Sequence, residues 1–249
     1  MIRKISIVTV VCNSEKDMIP TIESVLAQEC RDVQVEYRII DGKSTDGTVE
    51  IARSYCNRMK EKGIFYEIVS EKDSGIYDAM NKGIRLASGD VTAFINSGDW
   101  YEPDTLQKVS ETFRLQQCDL MFGNIRIYRQ DGSIFIKKAR LRKFQTSRDW
   151  NHPSMFVRSF LYKKYPFLNR GIHDDYGFYL KMRTFPLKIV VIDQVLANFR
   201  MGGASNQKGI GKMCRRICDR YKYCYRVNGY SRWYLIECVI TEVAKWLLA

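Results

Sequence analysis

The fold is decided by residues 70–100, which read SEKDSGIYDAMNKGIRLASGDVTAFINSGDW. Residues 73–75 (DSG) are typical of a turn, and apolar residues then recur at helical spacing between residues 76 and 87. Residues 88–90 (SGD) end that pattern. The first part of the stretch therefore predicts a turn followed by one amphipathic helix.

The second part of the stretch predicts a buried strand that runs into a polar loop. Residues 91–95 (VTAFI) are mostly apolar, and residues 96–99 (NSGD) end the run abruptly. Open α/β sheets place their chemistry beyond the carboxyl ends of their strands. We therefore take Asp99 as the centre of the active site.

Strands and helices alternate through the first hundred residues. The predicted strands cover residues 5–11, 37–40, 65–69 and 91–95, and a helical pattern follows each of the first three. The first of these helices is entered at Asn13 and Ser14, and the second runs from about Asp46 to residue 58. This alternation predicts a parallel sheet with right-handed crossovers. The absence of both GxGxxG and GxxxxGK[ST] argues against a dehydrogenase and a P-loop NTPase.

The second half of the chain shows a different pattern. Asp131-Gly132 predicts a hairpin turn between two strands. The remaining predicted elements are helices at residues 103–115, 155–165 and 176–183, a strand at 188–195 and a glycine loop at 201–205.

Composition limits the classes of partner. Among 249 residues, 40 are Lys or Arg and 28 are Asp or Glu, giving a net charge of +12. This excess indicates an anionic partner, such as a nucleotide, a nucleic acid or a membrane surface, or else a surface kept soluble by lysine. The eight cysteines are scattered without zinc-site spacing, as expected for reduced thiols in the cytoplasm. We expect neither a signal peptide nor a membrane-spanning helix.

Residues after Gln207 form a basic and aromatic tail. Its end, residues 234–248, is apolar at helical spacing. A basic segment followed by such a helix is typical of peripheral contact with a membrane surface. The sequence supports equally the alternative that this helix packs on the protein core.

Five motifs in order resemble the family-2 glycosyltransferases of the GT-A fold, over residues 4–205. They are the opening strand with Asn13, DGKSTDGT at 41–48, EKDSGIYDAMNKGI at 71–84, ASGD at 87–90 and FINSGDW at 94–100. The subgroup with the closest resemblance assembles bacterial polysaccharides. The resemblance implies an α/β GT-A fold, with a mainly parallel central sheet flanked by helices and followed by C-terminal helices. It divides the chain into a nucleotide-sugar-binding half (1–100), an acceptor-binding half (101–206) and a helical tail (207–249).

The resemblance also implies the residues of the nucleotide-sugar site. Asp41 would meet the nucleotide base and Asp73 another part of the nucleotide, although each could instead build a turn. His152 would meet the donor diphosphate or the acceptor, with a buried structural histidine as the alternative, and Arg200 would close over the pyrophosphate. The full set is Val11, Asn13, Asp41, Ser44, Asp73, Tyr77, Asn81, Lys82, Ser97, Asp99, His152 and Arg200.

Asp99 carries the family's metal role in this resemblance. Gly98 stands where many relatives have a first aspartate, so a single protein carboxylate remains. One carboxylate completed by donor phosphates and water is typical of Mg²⁺, and Mn²⁺ would fit as well. The alternative is that Asp99 only builds a turn.

The catalytic base is expected just before the helix at residues 176–183. An acceptor hydroxyl must lose a proton as it attacks the sugar, and a carboxylate within hydrogen-bond reach can take that proton. By resemblance the base is Asp175, but the adjacent Asp174 could exchange roles with it or cap the helix.

The resulting prediction is an inverting glycosyltransferase of bacterial cell-envelope polysaccharide synthesis. It would move a sugar from a nucleotide-diphospho-sugar to a hydroxyl of a glycan or lipid-linked acceptor, in the cytoplasm or peripherally at the inner face of the cytoplasmic membrane. The alternatives are a sugar nucleotidyltransferase, a nucleic-acid-binding protein and an inactive scaffold. No nucleic-acid-binding motif is present, so we expect no nucleic-acid partner.

Overall fold

The computed structural model describes residues 2–30, 32–202 and 209–247. Parts of three predictions lie outside the described residues: the glycine loop at 203–205, the boundary between residues 206 and 207, and the tail end at 248. The described strands are β1 (Lys4–Val11), β2 (Gln34–Asp41), β3 (Phe65–Ser70), β4 (Val91–Phe94), β5 (Trp100–Tyr101), β6 (Leu120–Tyr128), β7 (Ile134–Lys137), β8 (Phe156–Arg158) and β9 (Ile189–Arg200). The helices are α1 (Met18–Leu26), α2 (Thr48–Ser54), α3 (Cys56–Glu61), α4 (Ile76–Leu86), α5 (Thr105–Gln116), α6 (Ser159–Lys164), α7 (Asp174–Met182), α8 (Ile210–Asp219) and α9 (Tyr234–Leu247).

The strands form one sheet in the order β3-β2-β1-β4-β8-β6-β9-β5. Strand β7 lies off this path and pairs with β6. The pairs β1–β2, β1–β4 and β2–β3 are parallel, which confirms the alternation predicted for the first hundred residues. The second half adds antiparallel pairs, including the predicted hairpin of β6 and β7. Parallel packing brings the carboxyl ends of β1, β2 and β4 to one edge of the sheet.

Both faces of the sheet are covered. Ile5 and Ile7 of β1 belong to a core shared with α1, α2, α3 and α5. Val8 and Val10 of the same strand belong to the opposite core, with α4, α6, α7 and part of the tail. Because side chains alternate along a strand, an apolar run such as ISIVTVV fills both layers at once.

The helix predicted at residues 155–165 is wrong over its first part. Residues 156–158 form β8, which pairs antiparallel with both β4 and β6, and α6 begins only at Ser159. Met155, Phe156 and Val157 are all buried, so the segment lacks the exposed side that a surface helix would show. A short apolar run does not distinguish a buried strand from a buried helix without its neighbours.

Three other boundaries differ from the prediction. The helix expected from residue 46 to 58 is divided at Tyr55 into α2 and α3, and α1 begins at Met18 after a turn. The strand predicted at residues 188–195 extends to Arg200, with an irregular register opposite Asn124. The longer β9 pairs antiparallel with β5, which places Arg200 beside the loop before Trp100.

The tail folds back onto α7. A π-helical turn (Arg220–Tyr225) follows α8 directly and precedes α9 in the chain. Cys224 and Tyr225 of this turn are fully buried. Arg220 and Glu242 form a buried ion pair that joins this turn to α9. Among the described residues, no helix combines the length and apolarity that crossing a bilayer requires. The packed-helix alternative therefore holds for one side of α9.

Candidate active site

Asp99 lies in the loop between β4 and β5 and is only 6% exposed. Gly98 adopts a φ of +93°, a conformation that favours glycine. The hydroxyl of Thr21 donates to the Asp99 carbonyl oxygen at 2.6 Å and accepts the Gly98 N–H at 3.1 Å. The backbone N–H of Arg200 donates to Asp99 Oδ1 at 3.2 Å. The loop is thus fixed from α1 on one side and from β9 on the other.

The electrostatics of Asp99 fit a cation ligand. Burial raises the pKa of Asp99 to about 8, and the hydrogen bond and charge of Arg200 offset only part of that rise. The charged carboxylate therefore lacks sufficient positive partners, and a divalent cation would supply them. Within the described parts of the chain, no group of three His, Cys, Asp or Glu side chains could hold a metal. The donor set fits Mg²⁺ or Mn²⁺ completed by diphosphate and water oxygens.

The loops after β1 and β2 are joined by side-chain hydrogen bonds. Asn13 adopts a φ of +49°, and its Oδ1 accepts the backbone N–H of Thr45 at 2.8 Å. The hydroxyl of Ser44 accepts the Asn13 N–H at 2.7 Å. Val11 and Asp41 pair in the strand register just before these loops. The structure therefore brings these four predicted site residues together, with Asn13 and Ser44 in bracing roles.

Asp41 is 1% exposed and faces other side chains of the sheet edge. Its carboxylate accepts the backbone N–H of Ser44 at 3.0 Å and the hydroxyl of Ser70 at 2.6 Å. These are the contacts of a turn-building aspartate, the alternative noted from the sequence. The prediction that Asp41 meets a nucleotide base stays a prediction.

Asp73 brings the loop after β3 against the loop after β2. Its Oδ1 accepts the Gly75 N–H at 2.9 Å, and a Cβ on Gly42 would lie 2.5 Å from its Oδ2. A side chain at residue 42 would therefore displace the Asp73 carboxylate. The absence of a side chain on Gly42 allows this carboxylate to lie next to the loop after β2.

The polar residues of α4 have different surroundings. Tyr77 points to the site, and its hydroxyl donates to Asp175 Oδ1 at 2.9 Å. Asn81 instead donates to the Phe167 carbonyl at 2.8 Å and accepts the Phe167 N–H at 2.9 Å. Lys82 contacts the Lys72 carbonyl and lies 3.0 Å from a Glu71 carboxylate oxygen. Asn81 and Lys82 thus brace neighbouring loops, and the structure shows neither beside Asp99.

Asp175, at the start of α7, accepts two hydrogen bonds and lies close to His152. Tyr77 and the backbone N–H of Tyr176 donate to its Oδ1, at 2.9 and 2.8 Å. His152 Nδ1 lies 3.4 Å from its Oδ2. Asp174 has a different partner, because its Oδ2 accepts the Arg170 N–H at 2.7 Å within the preceding loop. Of the two adjacent acids, Asp175 therefore faces the aromatic side chains of the site.

His152 is buried between Asp175 and the end of β4. Its ring stacks on Phe94 with 5.9 Å between centroids. Burial lowers the pKa of His152, and the nearby Asp175 charge opposes this only in part, so the imidazole is neutral. A neutral imidazole carries a single N–H, on either Nδ1 or Nε2. In the part of the chain that the structure describes, neither ring nitrogen of His152 has a hydrogen-bond partner, and Nδ1 is the one that faces Asp175.

Ser97 and Arg200 complete the predicted set. The Ser97 hydroxyl lies 2.8 Å from that of Ser14 and so links the Asp99 loop to the turn before α1. The Arg200 guanidinium lies over Trp100, with 5.6 Å to the ring centroid, and pairs with Asp17 at 3.1 Å. Arg200 therefore reaches Asp99 through its backbone, and its side chain lies at the mouth of the site.

The model of Glycosyl transferase family 2 matches residues 6–187 of this chain. The chain belongs to this family. It is a glycosyltransferase, and the nucleotidyltransferase and nucleic-acid-binding alternatives are not favoured.

Known proteins agree with this assignment. A PGL/p-HBAD biosynthesis glycosyltransferase of Mycobacterium bovis is 29% identical over 191 residues, covering 74% of this chain and 72% of the relative. TuaG of Bacillus subtilis, named for a proposed role in teichuronic acid biosynthesis, is 31% identical over 129 residues, covering 52% of this chain and 49% of TuaG. The mannosyltransferase PcManGT of Pyrobaculum calidifontis, solved with GDP-Man and Mn²⁺, superposes with a TM-score of 0.67. It is 13% identical, with coverage of 100% of this chain and 75% of that protein, and supports the GT-A fold.

Two residues of this glycosyltransferase site were missed from the sequence. Thr21 anchors the Asp99 loop, and a hydroxyl within the apolar stripe of α1 was the available signal. Tyr162 of α6 is fully buried, and its hydroxyl has no hydrogen-bond partner among the described residues. Burial and then the charge of Asp175 raise the pKa of Tyr162, so this hydroxyl lies within the electrostatic influence of Asp175. No local pattern identified Tyr162, because its segment was predicted as one continuous helix.

Proposed function

We propose that this glycosyltransferase inverts the anomeric centre of a sugar that it moves from a nucleotide-diphospho-sugar to a hydroxyl group. The acceptor is a glycan or a lipid-linked glycan of bacterial surface polysaccharide synthesis. The observation that carries the proposal is the pair of acids with different environments. Asp99 is buried without a sufficient positive partner, whereas Asp175 accepts a hydrogen bond from Tyr77 and lies 3.4 Å from His152 Nδ1. These environments suit a cation ligand and a proton acceptor, respectively.

On the donor side, Asp99 would hold a divalent cation together with the donor diphosphate. When bound, the cation neutralises charge on the departing nucleoside diphosphate. The loops of Asn13, Asp41 and Asp73 would contact the nucleoside, since they meet at the same sheet edge. Arg200, at the mouth of the site, would contact the diphosphate by replacing its ion pair with Asp17.

On the acceptor side, Asp175 would remove the proton from the attacking hydroxyl. The acceptor oxygen forms a bond to the anomeric carbon while the bond from that carbon to the diphosphate oxygen breaks. The proton goes to Asp175 and the electron pair leaves with the nucleoside diphosphate. Attack opposite the leaving group inverts the anomeric centre. Tyr77 and the Tyr176 N–H keep the carboxylate oriented for this step.

Donor turnover tests the proposed function directly. The purified chain is incubated with UDP- and GDP-sugars, with Mn²⁺, Mg²⁺ or a chelator, and release of nucleoside diphosphate is measured. We expect turnover of at least one donor with Mn²⁺ or Mg²⁺, and a loss of roughly a hundredfold or more with the chelator, because diphosphate departure needs charge neutralisation. Undiminished turnover in the chelator would contradict the metal role, and cleavage that releases sugar phosphate would contradict glycosyl transfer.

His152 is proposed as a positioning residue for Asp175. Its neutral ring can donate only one hydrogen bond, and Nδ1 faces the Asp175 carboxylate at 3.4 Å. Stacking on Phe94 fixes the ring to the end of β4. His152 therefore connects the base to the strand that carries the Asp99 loop.

Replacing His152 by Ala and by Asn distinguishes a role in positioning Asp175 from a role in donor binding. We expect His152→Ala to lower kcat about 10- to 100-fold, because a displaced base loses its alignment, with the donor KM unchanged. His152→Asn keeps a donor near Nδ1 and should retain most of the activity. Equal losses in both variants, or a rise in donor KM alone, would contradict the positioning role.

We also propose that the enzyme works in the cytoplasm with peripheral contact at the inner face of the cytoplasmic membrane. A lipid-linked acceptor would be presented there. The basic and apolar composition of the residues after Gln207 supports this contact.

A further inference from the structure

We propose that the outer side of α9 and the basic residues around it form a docking surface for a membrane that contains anionic lipids. We call this the α9 surface; it comprises residues 140–144, 210–232 and the outer side of α9. The proposal deepens the peripheral contact of the proposed function by naming its residues and lipid class. Its test measures lipid binding without donor or acceptor.

Among the described side chains of α9, those on its outer side are apolar. The helix packs against the protein through Tyr234, Cys238, Thr241 and Glu242, all of which are buried. The side chains that it exposes are Trp233 (64%) just before the helix, Leu235 (41%), Ile236 (50%), Val239 (41%), Ile240 (59%) and Val243 (37%). A surface helix of a soluble protein normally turns polar residues to solvent. An exposed apolar side of this extent indicates an interaction site.

The exposed charges next to α9 are basic. Among the described residues from 209 onwards, the exposed charged side chains are Lys212, Arg215, Lys222, Arg226 and Arg232. The acids of this segment are half-buried or buried, and Glu242 is 0% exposed. The apolar side therefore lies within a surface of positive charge.

A second segment, remote in the sequence, extends the same surface. Phe144 stacks on Tyr234 with 4.5 Å between ring centroids, and the Ser147 hydroxyl donates to Glu237 at 3.5 Å. The loop before Ser147 thereby adds exposed side chains beside the first turn of α9. They are Arg140, Leu141, Arg142, Lys143 and Phe144.

The two borders of the apolar side are defined by Glu237 and Glu242. The two residues are five positions apart in the sequence, which is a rotation of about 140° around the helix axis. The loop contacts Glu237, and Arg216 of α8 binds Glu242 at 2.7 Å. The packed arc of α9 lies between these two contacts, and the apolar arc faces away from the protein.

Charge decides between a membrane and a second copy of the chain. Two copies that met through this surface would bring like charges together, which disfavours the contact. Anionic headgroups attract Lys and Arg, while the boundary of the acyl chains accepts apolar side chains. One side of α9 packs on the protein and the opposite side is apolar and exposed. The helix would therefore lie in the plane of the membrane interface.

Hydrogen bonds connect the α9 surface to the catalytic helix. The hydroxyl of Tyr176 lies 3.0 Å from that of Tyr225, which donates to Glu237 at 3.0 Å. Tyr176 is adjacent to Asp175 in α7. Docking through α9 would therefore hold the base in a fixed relation to the membrane from which a lipid-linked acceptor arrives.

Vesicle flotation of the full chain tests the apolar part. We expect binding to phosphatidylcholine vesicles that contain phosphatidylglycerol, with weaker binding in high salt. The double variant Ile236→Glu/Ile240→Glu should bind about tenfold less or worse, because it places two charges in the buried interface. The matched control is Leu86→Glu/Leu115→Glu, since both residues are helical, apolar and exposed (39% and 72%). The control should bind like the wild type.

A second pair of variants tests the charge. Arg226→Gln/Arg232→Gln should reduce binding to anionic vesicles by about tenfold, while Lys60→Gln/Arg114→Gln removes the same charge elsewhere and should leave it unchanged. Absent binding, equal wild-type binding to neutral vesicles, or equal losses in the controls would overturn the proposal. A dimer in light scattering that only Ile236→Glu/Ile240→Glu dissociates would assign the surface to a second copy instead. Transfer to a soluble acceptor should persist in all four variants, so failed docking would overturn the membrane contact but leave the proposed glycosyl transfer intact.

Discussion

Replacing Asp99 by Asn is expected to lower glycosyl transfer by about 10³-fold or more. The substitution keeps the size of the side chain and an oxygen that can accept the Arg200 N–H, but removes the negative charge. Without that charge, the cation and the donor diphosphate lose their only proposed protein carboxylate. The measurement is kcat/KM with Mn²⁺ present, together with the shift in Tm that Mn²⁺ and nucleoside diphosphate produce. We expect that shift to be lost in the variant.

The stability of the Asp99→Asn variant provides an internal control. The pKa of Asp99 in the folded chain is raised to about 8 by burial, whereas an unfolded aspartate releases its proton near pH ~3.9. The folded state therefore binds more protons between these values, and stability falls as the pH rises through that window. Asn does not ionise, so at pH 8 without metal the variant should unfold at a higher temperature than the wild type. A variant that transfers sugar at the wild-type rate would remove the metal role of Asp99.

Replacing Asp175 by Asn is expected to lower kcat by about 10²- to 10⁴-fold, the range typical of a lost general base. An Asn oxygen can still accept the hydrogen bonds from Tyr77 and the Tyr176 N–H, so we expect the local fold to persist. Donor binding should be unchanged, because Asp175 is proposed to act on the acceptor. The Tm shift with Mn²⁺ and nucleoside diphosphate should therefore match the wild type, in contrast to Asp99→Asn.

Asp174→Asn is the matched control for this prediction. Asp174 differs from Asp175 in that its carboxylate accepts the Arg170 N–H within the loop. An Asn side chain can accept the same hydrogen bond, so transfer should stay within a few-fold of the wild type. If Asp174→Asn abolished transfer while Asp175→Asn retained it, the two roles would be exchanged.

The sequence was sufficient to predict the fold of the first hundred residues because its information is local. Each strand of the first hundred residues is an apolar run that ends in a polar loop, and parallel pairing follows from the intervening helices. The position of Asp99 at the end of β4 follows from that pattern alone.

The parts that could not be predicted depend on contacts between distant segments. Tyr77, Asn81 and Lys82 are polar residues of one helix, and the sequence does not show which of them faces the site. In the structure, Tyr77 contacts Asp175, whereas Asn81 contacts Phe167 and Lys82 contacts Lys72. Likewise, β8 is a strand because a place exists for it between β4 and β6.

The outer side of α9 illustrates the same limit. Apolar residues at helical spacing predict a helix, but the spacing does not say which side is covered. The structure buries Tyr234 and Cys238 and leaves Ile236 and Ile240 exposed. The two alternatives for the tail, packing on the core and contact with a membrane, therefore concern different sides of one helix.

The most direct test of the account is anomalous diffraction at the manganese edge from crystals grown with Mn²⁺ and a nucleoside diphosphate. The account predicts one manganese peak coordinated by the Asp99 carboxylate and by oxygens of the diphosphate, with the nucleoside over the loops of Asp41 and Asp73. Manganese and nucleotide bound together without contact to Asp99 would contradict it.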